Sequence, residues 1–167
     1  MDFHSDDDDF RIERRAQLGK QRRLVWVLSL AGLLPFIACT LVLLILGIEN
    51  SIAKPTIEIF RNYSVVILSF LGGIRWGHAL LRHHDERTEL DFRSIIFSVI
   101  PPLIAWVSMF FSAAPALGIL LLAFCTQGAW DSFSSHLGRL PKWFAPVRIA
   151  LTACVAACHI AVFLILA

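Results

Sequence analysis

The chain of 167 residues is 57% hydrophobic and 17% charged, and its formal net charge is only +2. Its mean hydropathy is +0.69, and the apolar residues are collected into long runs, which excludes an ordinary soluble domain. The small net charge gives no reason to expect nucleic acid as a partner, because the basic residues cluster at the edges of the runs. The composition is that of an integral membrane protein embedded in a lipid bilayer.

The sequence predicts an all-α polytopic membrane helical bundle with five transmembrane helices, since each crossing needs ~20 apolar residues. Residues 1–23 are charged and poor in apolar side chains, so we expect a disordered N-terminal tail followed by one transmembrane domain, residues 24–167. The tail fits neither a secretory signal nor an acid-poor transit peptide. The predicted spans are 24–48, 59–81, 94–112, 116–137 and 147–167.

The second span has two distinct faces. Placed at 100° per residue, Ser69, Gly73 and Gly77 form one stripe of small residues that lets another helix come close. Arg75 and His78 lie on the opposite face, where a charge in hydrocarbon costs at least ~2.5 kcal/mol. Arg75 therefore needs a partner, a wet cavity or a route to the membrane surface.

The third span contains Pro101 and Pro102, which predict a kink or local unwinding. Three residues separate it from the fourth span, so we expect a tight antiparallel hairpin. On the fourth span Gln127, Asp131 and Ser135 share one face.

Arg75 and Asp131 are predicted to lie at equal depth, each roughly 9 to 10 Å from the same edge at ~1.5 Å per residue. One interpretation is a buried ion pair with His78 and Gln127 beside it, forming an intramembrane polar site. The other is that Arg75 extends to the headgroups and Asp131 only ends its helix. A structural pair is favoured over a catalytic one, and no catalytic residue is assigned.

His159 falls near the bilayer centre on the fifth span. Packing through one donor and one acceptor is favoured over a proton relay. Cys154 and Cys158 are helical neighbours, but buried cysteines commonly act as small apolar residues. We therefore predict neither a metal site nor a cofactor.

Orientation follows from the Lys and Arg residues, which lie mostly in the tail, in the second loop and in the fourth loop with its flank, where Arg148 is counted. The first loop has only Lys54 and Arg61 near it. The positive-inside rule then predicts a cytoplasmic N-terminus and a periplasmic C-terminus.

Three segments carry a family resemblance: Leu-Ser-Phe-Leu-Gly-Gly-Ile-Arg-Trp-Gly at 68–77, Trp130-Asp131, and Leu-Pro-Lys-Trp-Phe-Ala-Pro-Val-Arg-Ile-Ala-Leu-Thr at 140–152. Together they resemble the transmembrane protein 69 family, over residues 24 to the end. The resemblance implies a small multi-pass membrane protein without an established activity, with bacterial members and mitochondrial relatives. The acidic tail departs from a mitochondrial form and favours the bacterial inner membrane.

Two functions remain open. The first is a non-enzymatic accessory or assembly component that packs against a membrane-protein partner or a second copy of itself. The second is a carrier or channel for a small ion or proton that uses Arg75, His78 and Asp131, with His159 as a further candidate. No nucleotide-binding, zinc-protease or serine-hydrolase motif occurs, so an enzyme is the weakest hypothesis.

Overall fold

The computed structural model describes residues 5–82, 92–136 and 143–166, and all of its elements are helices. By contacts the chain divides into two units, Met1–Leu34 and Pro35–Ala167. The predicted all-α membrane bundle is confirmed. The helices are α1 (Ser5–Ala31), α2 (Leu34–Leu46), α3 (Ala53–Arg82), α4 (Phe92–Ser108), α5 (Ala113–His136) and α6 (Phe144–Leu166).

The first unit contains α1, which begins at Ser5, within the segment predicted as the N-terminal tail. The residues Glu13 to Leu18 are strong helix formers without proline, and the polar residues 19–23 then join them to the apolar run that begins at Leu24. A hydrogen bond of 3.1 Å from the Gly32 amide to the Leu28 carbonyl ends the helix.

Among the described residues, four helical stretches are long and apolar enough to cross a membrane, namely Gln17–Leu46, Ala53–Gly77, Ala113–Ser134 and Phe144–Leu166. The first of them includes the break between α1 and α2. The helix α4 has 17 residues, which is the lower limit for a crossing, and its apolar part is Ile95–Ser108. It remains helical through both prolines.

Local chemistry sets the helix ends. Gly47, with φ of 72°, terminates α2 and donates its amide to the Leu43 carbonyl at 3.0 Å. The side chain of Asn50 accepts the Ile52 amide at 3.0 Å and so starts α3 six residues earlier than predicted. Pro55 is tolerated there because amides of a first turn have no partner within the helix.

In the second unit α3 packs mainly on α4, and α5 packs mainly on α6. Glycine allows the close approach in both pairs. A Cβ on Gly72 would lie 2.5 Å from Pro102 Cδ and 2.7 Å from the Ser98 carbonyl oxygen, and a Cβ on Gly128 would collide with the Thr152 side chain. The largest fully buried apolar side chains of this unit are Phe36, Leu43, Phe60, Leu68, Leu117, Leu120, Val147 and Val162.

Candidate functional site

Asp131 is the centre of a buried charged cluster formed by α3, α5 and α6. Its Oδ1 lies 3.5 Å from Arg75 Nη1, and its Oδ2 lies 2.8 Å from Arg148 Nε. The amide of Gln127 donates to Oδ1 at 3.4 Å. One carboxylate therefore contacts guanidinium groups from two other helices.

Arg75 is held inside the bundle, because only 17% of its side chain is exposed. Its Cζ lies 4.9 Å from the centroid of the Trp130 ring, a cation–π contact. Phe97 of α4 in turn packs on Trp130 with ring centroids 5.2 Å apart. The position of Arg75 agrees with the paired interpretation and not with extension to the headgroups.

Arg148 is the residue of this cluster that the sequence reasoning missed, since it had been counted among the cations flanking a loop. Its side chain is 7% exposed, and its contact with Asp131 is the shorter of the two. Within the described part of the chain its Nε and Nη2 have no well-aligned hydrogen-bond acceptor. The contact of Nε with Asp131 is therefore mainly ionic, and Nη2 has no hydrogen-bond acceptor among the described residues.

The structure places His159 in a separate aromatic cage. Its ring lies 4.8 Å from Phe60, 5.4 Å from Phe124 and 5.7 Å from Phe36, measured between centroids. Nδ1 lies 2.9 Å from the Val155 carbonyl, so it carries the proton, and Nε2 lies 3.2 Å from Ser64 Oγ. A neutral imidazole is satisfied by these two contacts, which agrees with the packing role.

The side chain of His78 lies outside the part that the structure describes, so its predicted place beside the pair stays a prediction. Likewise the structure describes no side chain for Ser135. The four cysteines, Cys39, Cys125, Cys154 and Cys158, are free thiols.

The stripe of Ser69, Gly73 and Gly77 is not the face on which α3 meets another helix closely. Gly73 is exposed, and a Cβ on Gly73 or Gly77 would meet no atom of the described chain within 4 Å. Close approach occurs instead at the neighbouring Gly72. Within the described chain, close packing of α3 is therefore made at Gly72, and no described residue packs closely on Gly73 or Gly77.

Membrane-crossing apolar helices joined by a buried charged cluster define a multi-pass α-helical membrane protein. Residues 21–164 match the profile described as Protein of unknown function (DUF3429), and the chain belongs to that family. It is 30% identical over 128 residues to Transmembrane protein 69 of Xenopus tropicalis and 32% identical over 125 residues to Transmembrane protein 69 of Mus musculus. Each alignment covers 75% of this chain but only 47% and 49% of those relatives, so the chain spans about half their length. No solved structure matches.

Proposed function

We propose that this protein is a non-enzymatic accessory component of the membrane that packs the face of Ser69, Gly73 and Gly77 against a helix of another membrane protein. One observation carries the proposal. On α3 two adjacent glycines have different surroundings. Residues of α4 occupy the space next to Gly72, whereas Gly73 is exposed and no described atom lies within 4 Å of its Cβ position.

The physics of lipid supports this use of the face. Apolar side chains gain nothing from leaving lipid for one another, so transmembrane helices associate through close van der Waals packing at small residues. Phe70 and Ile74, which are 62% and 49% exposed, lie beside the open stripe on one side of it and add apolar contact area. A partner helix that packs here reaches the backbone of Gly73, because no side chain of the described residues covers it.

The charged cluster supports a structural role for the intramembrane charges. Asp131 of α5 contacts Arg75 of α3 and Arg148 of α6, so these contacts connect three helices of the bundle. A bundle fixed in this way presents the α3 face as a rigid surface.

The test is affinity purification of the full chain in mild detergent, with identification of the membrane proteins that accompany it. We expect Gly73→Leu to lose the partner while its thermal unfolding temperature is unchanged, because the added side chain meets open space. Gly118→Leu is the matched control, since Gly118 also has open space around its Cβ position but lies on α5. Partner recovery that is equal in Gly73→Leu and in the wild type contradicts the proposal.

A second candidate, a carrier of a small anion or proton, is favoured by the buried Nη2 of Arg148, for which the described residues provide no acceptor. An anion passing the cluster would be a partner for that donor. Flux into liposomes that is lost in both Arg75→Ala and Arg148→Gln, with the fold retained, favours the carrier. Flux equal to that of empty liposomes rejects it.

We also infer a location in the bacterial inner membrane with the N-terminus in the cytoplasm. The distribution of Lys and Arg among the loops supports this orientation, and the acidic tail supports the bacterial membrane.

A further inference from the structure

A cavity of about 380 Å³ lies at the end of the bundle where α3 and α5 begin and α2 and α6 end. Its size is within the ~300 to 1,000 Å³ range of small-molecule sites. Because it lies among helix ends, it is at the level where a bilayer places its headgroups. The lining residues are Ile48, Lys54, Ile57, Glu58, Arg61, Ser112, Ala113 and Leu166.

The cations of this cavity are its most informative feature. Around the loops at this end of the bundle the sequence has only Lys54 and Arg61 as cations, and both line the same cavity. Neither forms an ion pair with a described residue. Arg61 donates from Nη1 to the Phe111 carbonyl at 3.3 Å, and its buried Nε has no acceptor in the residues described.

Helix ends and one carboxylate complete the charge balance of the cavity. The partial positive charges at the starts of α3 and α5 are offset by the partial negative charges at the ends of α2 and α6, so the helix ends add no net charge. Glu58 supplies one carboxylate, so the lining side chains carry one net positive charge. A ligand with a single negative charge would balance it.

The rest of the lining is apolar, with Ile48, Ile57 and Leu166 beside the charged groups. A ligand that used the whole cavity would therefore have an anionic head next to a hydrocarbon part. Free phosphate fits less well, because it has no apolar part and carries more than one negative charge close to Glu58.

We propose that this cavity binds the headgroup of an anionic phospholipid. Lys54 and Arg61 contact the phosphate oxygens, and the apolar residues contact the first part of the acyl chains. The hydroxyl groups of a glycerol headgroup donate to Glu58, which makes phosphatidylglycerol the suitable probe. This inference does not depend on the proposal that another membrane protein packs on Ser69, Gly73 and Gly77.

The experiment is native mass spectrometry of the full chain, delipidated in mild detergent and then mixed with phosphatidylglycerol, phosphatidylcholine or inorganic phosphate. We expect phosphatidylglycerol to bind about tenfold more tightly than phosphatidylcholine, and Lys54→Gln and Arg61→Gln each to weaken it about tenfold, the effect of one charge-assisted hydrogen bond. Glu58→Gln removes a negative charge but keeps an oxygen that accepts from the glycerol hydroxyls, so this variant should bind phosphatidylglycerol more tightly. Thermal unfolding of each variant verifies the fold, and the exposed Lys54 stays informative if Arg61→Gln does not fold.

The control is Arg23→Gln, which removes an exposed cation from the first unit and should leave lipid binding unchanged. Equal binding of both phospholipids overturns the proposal. So does binding of phosphatidylglycerol that neither cation variant weakens, or binding of inorganic phosphate that is as tight as that of the lipid.

Discussion

Asp131 has an unusual position, since one carboxylate serves two guanidinium groups in a site that is almost dry. Charges removed from water lose several kcal/mol each, and only close mutual contact and hydrogen bonds compensate for that loss. The contact with Arg148 is 2.8 Å and that with Arg75 is 3.5 Å, while Arg75 also contacts Trp130. The buried charge of Arg148 is therefore compensated mainly by Asp131, whereas that of Arg75 is compensated by Asp131 and Trp130 together.

We predict that the energetic coupling of Asp131 to Arg148 exceeds its coupling to Arg75. Asp131→Leu alone should cost ~3 to 5 kcal/mol because it leaves buried cations uncompensated, and adding Arg148→Met should restore much of that stability. The measurement is a pair of double-mutant cycles of unfolding in detergent, with Arg75→Met in the second cycle. Additive losses in the Arg148 cycle would show that the 2.8 Å contact contributes no stability.

The sequence predicted one half of this cluster and missed the other for a specific reason. Equal depth on α3 and α5 brought Arg75 and Asp131 together. Asp131 and Arg148 also lie at similar depth. Asp131 is about one and a half turns before the end of α5, and Arg148 is about one turn after the start of α6. Arg148 was instead counted with its loop, where cations near span edges are usual.

His159 should tolerate replacement by another ring. Once the imidazole is gone, the Ser64 hydroxyl can donate to the Phe60 carbonyl, which lies 2.8 Å from Oγ, and the Val155 carbonyl lies where the α-helix supplies a backbone donor, so His159→Phe leaves no buried polar group unpaired. We expect a change within about 1 kcal/mol for His159→Phe and a loss of about 3 kcal/mol or more for His159→Ala, which opens a cavity among the rings. Thermal unfolding in detergent checks both. A larger loss in the Phe variant than in the Ala variant would mean that hydrogen bonding matters more than packing.

At the scale of the helices, α3 and α4 meet where one of them lacks a side chain and the other lacks a backbone donor. Pro102 has no amide to bond the Ser98 carbonyl, and that carbonyl oxygen lies against Gly72. The two helices can come this close only because Gly72 of α3 has no side chain.

Gly72→Ala is therefore expected to destabilise the protein by about 1 to 3 kcal/mol, because the added methyl meets a proline ring and a backbone carbonyl, neither of which can move freely. Gly73→Ala, one residue further on, is the matched control and should be neutral or slightly stabilising, since alanine favours the helix. Unfolding temperatures of the two variants in the same detergent decide the matter. Equal values would remove the packing argument.

The apolar runs predicted the existence of the helices well, but they could not predict which small residues pack inside the chain. A regular stripe such as Ser69, Gly73 and Gly77 is visible in the sequence, whereas the contact of Gly72 depends on where α4 places Pro102. Helix starts were also predicted too late in α3, α5 and α6, because each missed first turn contains a proline, Pro55, Pro115 or Pro146, which a first turn tolerates.

At the scale of the whole molecule, the side of the membrane reached by the C-terminus depends on α4. With α4 as a crossing, five spans place the two termini on opposite sides. We expect a reporter that is active only outside the cytoplasm to be active when fused after Ala167, as it is when fused after Asn50 in the first loop. Activity of a cytoplasm-only reporter at Ala167 would mean that α4 does not cross.

The length of α4 has one more consequence, which concerns the lipid around the protein. Its 17 residues reach about 25 Å, whereas the hydrocarbon core of a bilayer is ~30 Å thick. If α4 crosses, the bilayer next to it becomes thinner by a few ångströms, at a cost of fractions of a kcal/mol per ångström of mismatch. Two proteins with short helices share one thinned patch at less cost than they maintain two, so a crossing α4 favours such neighbours on its side.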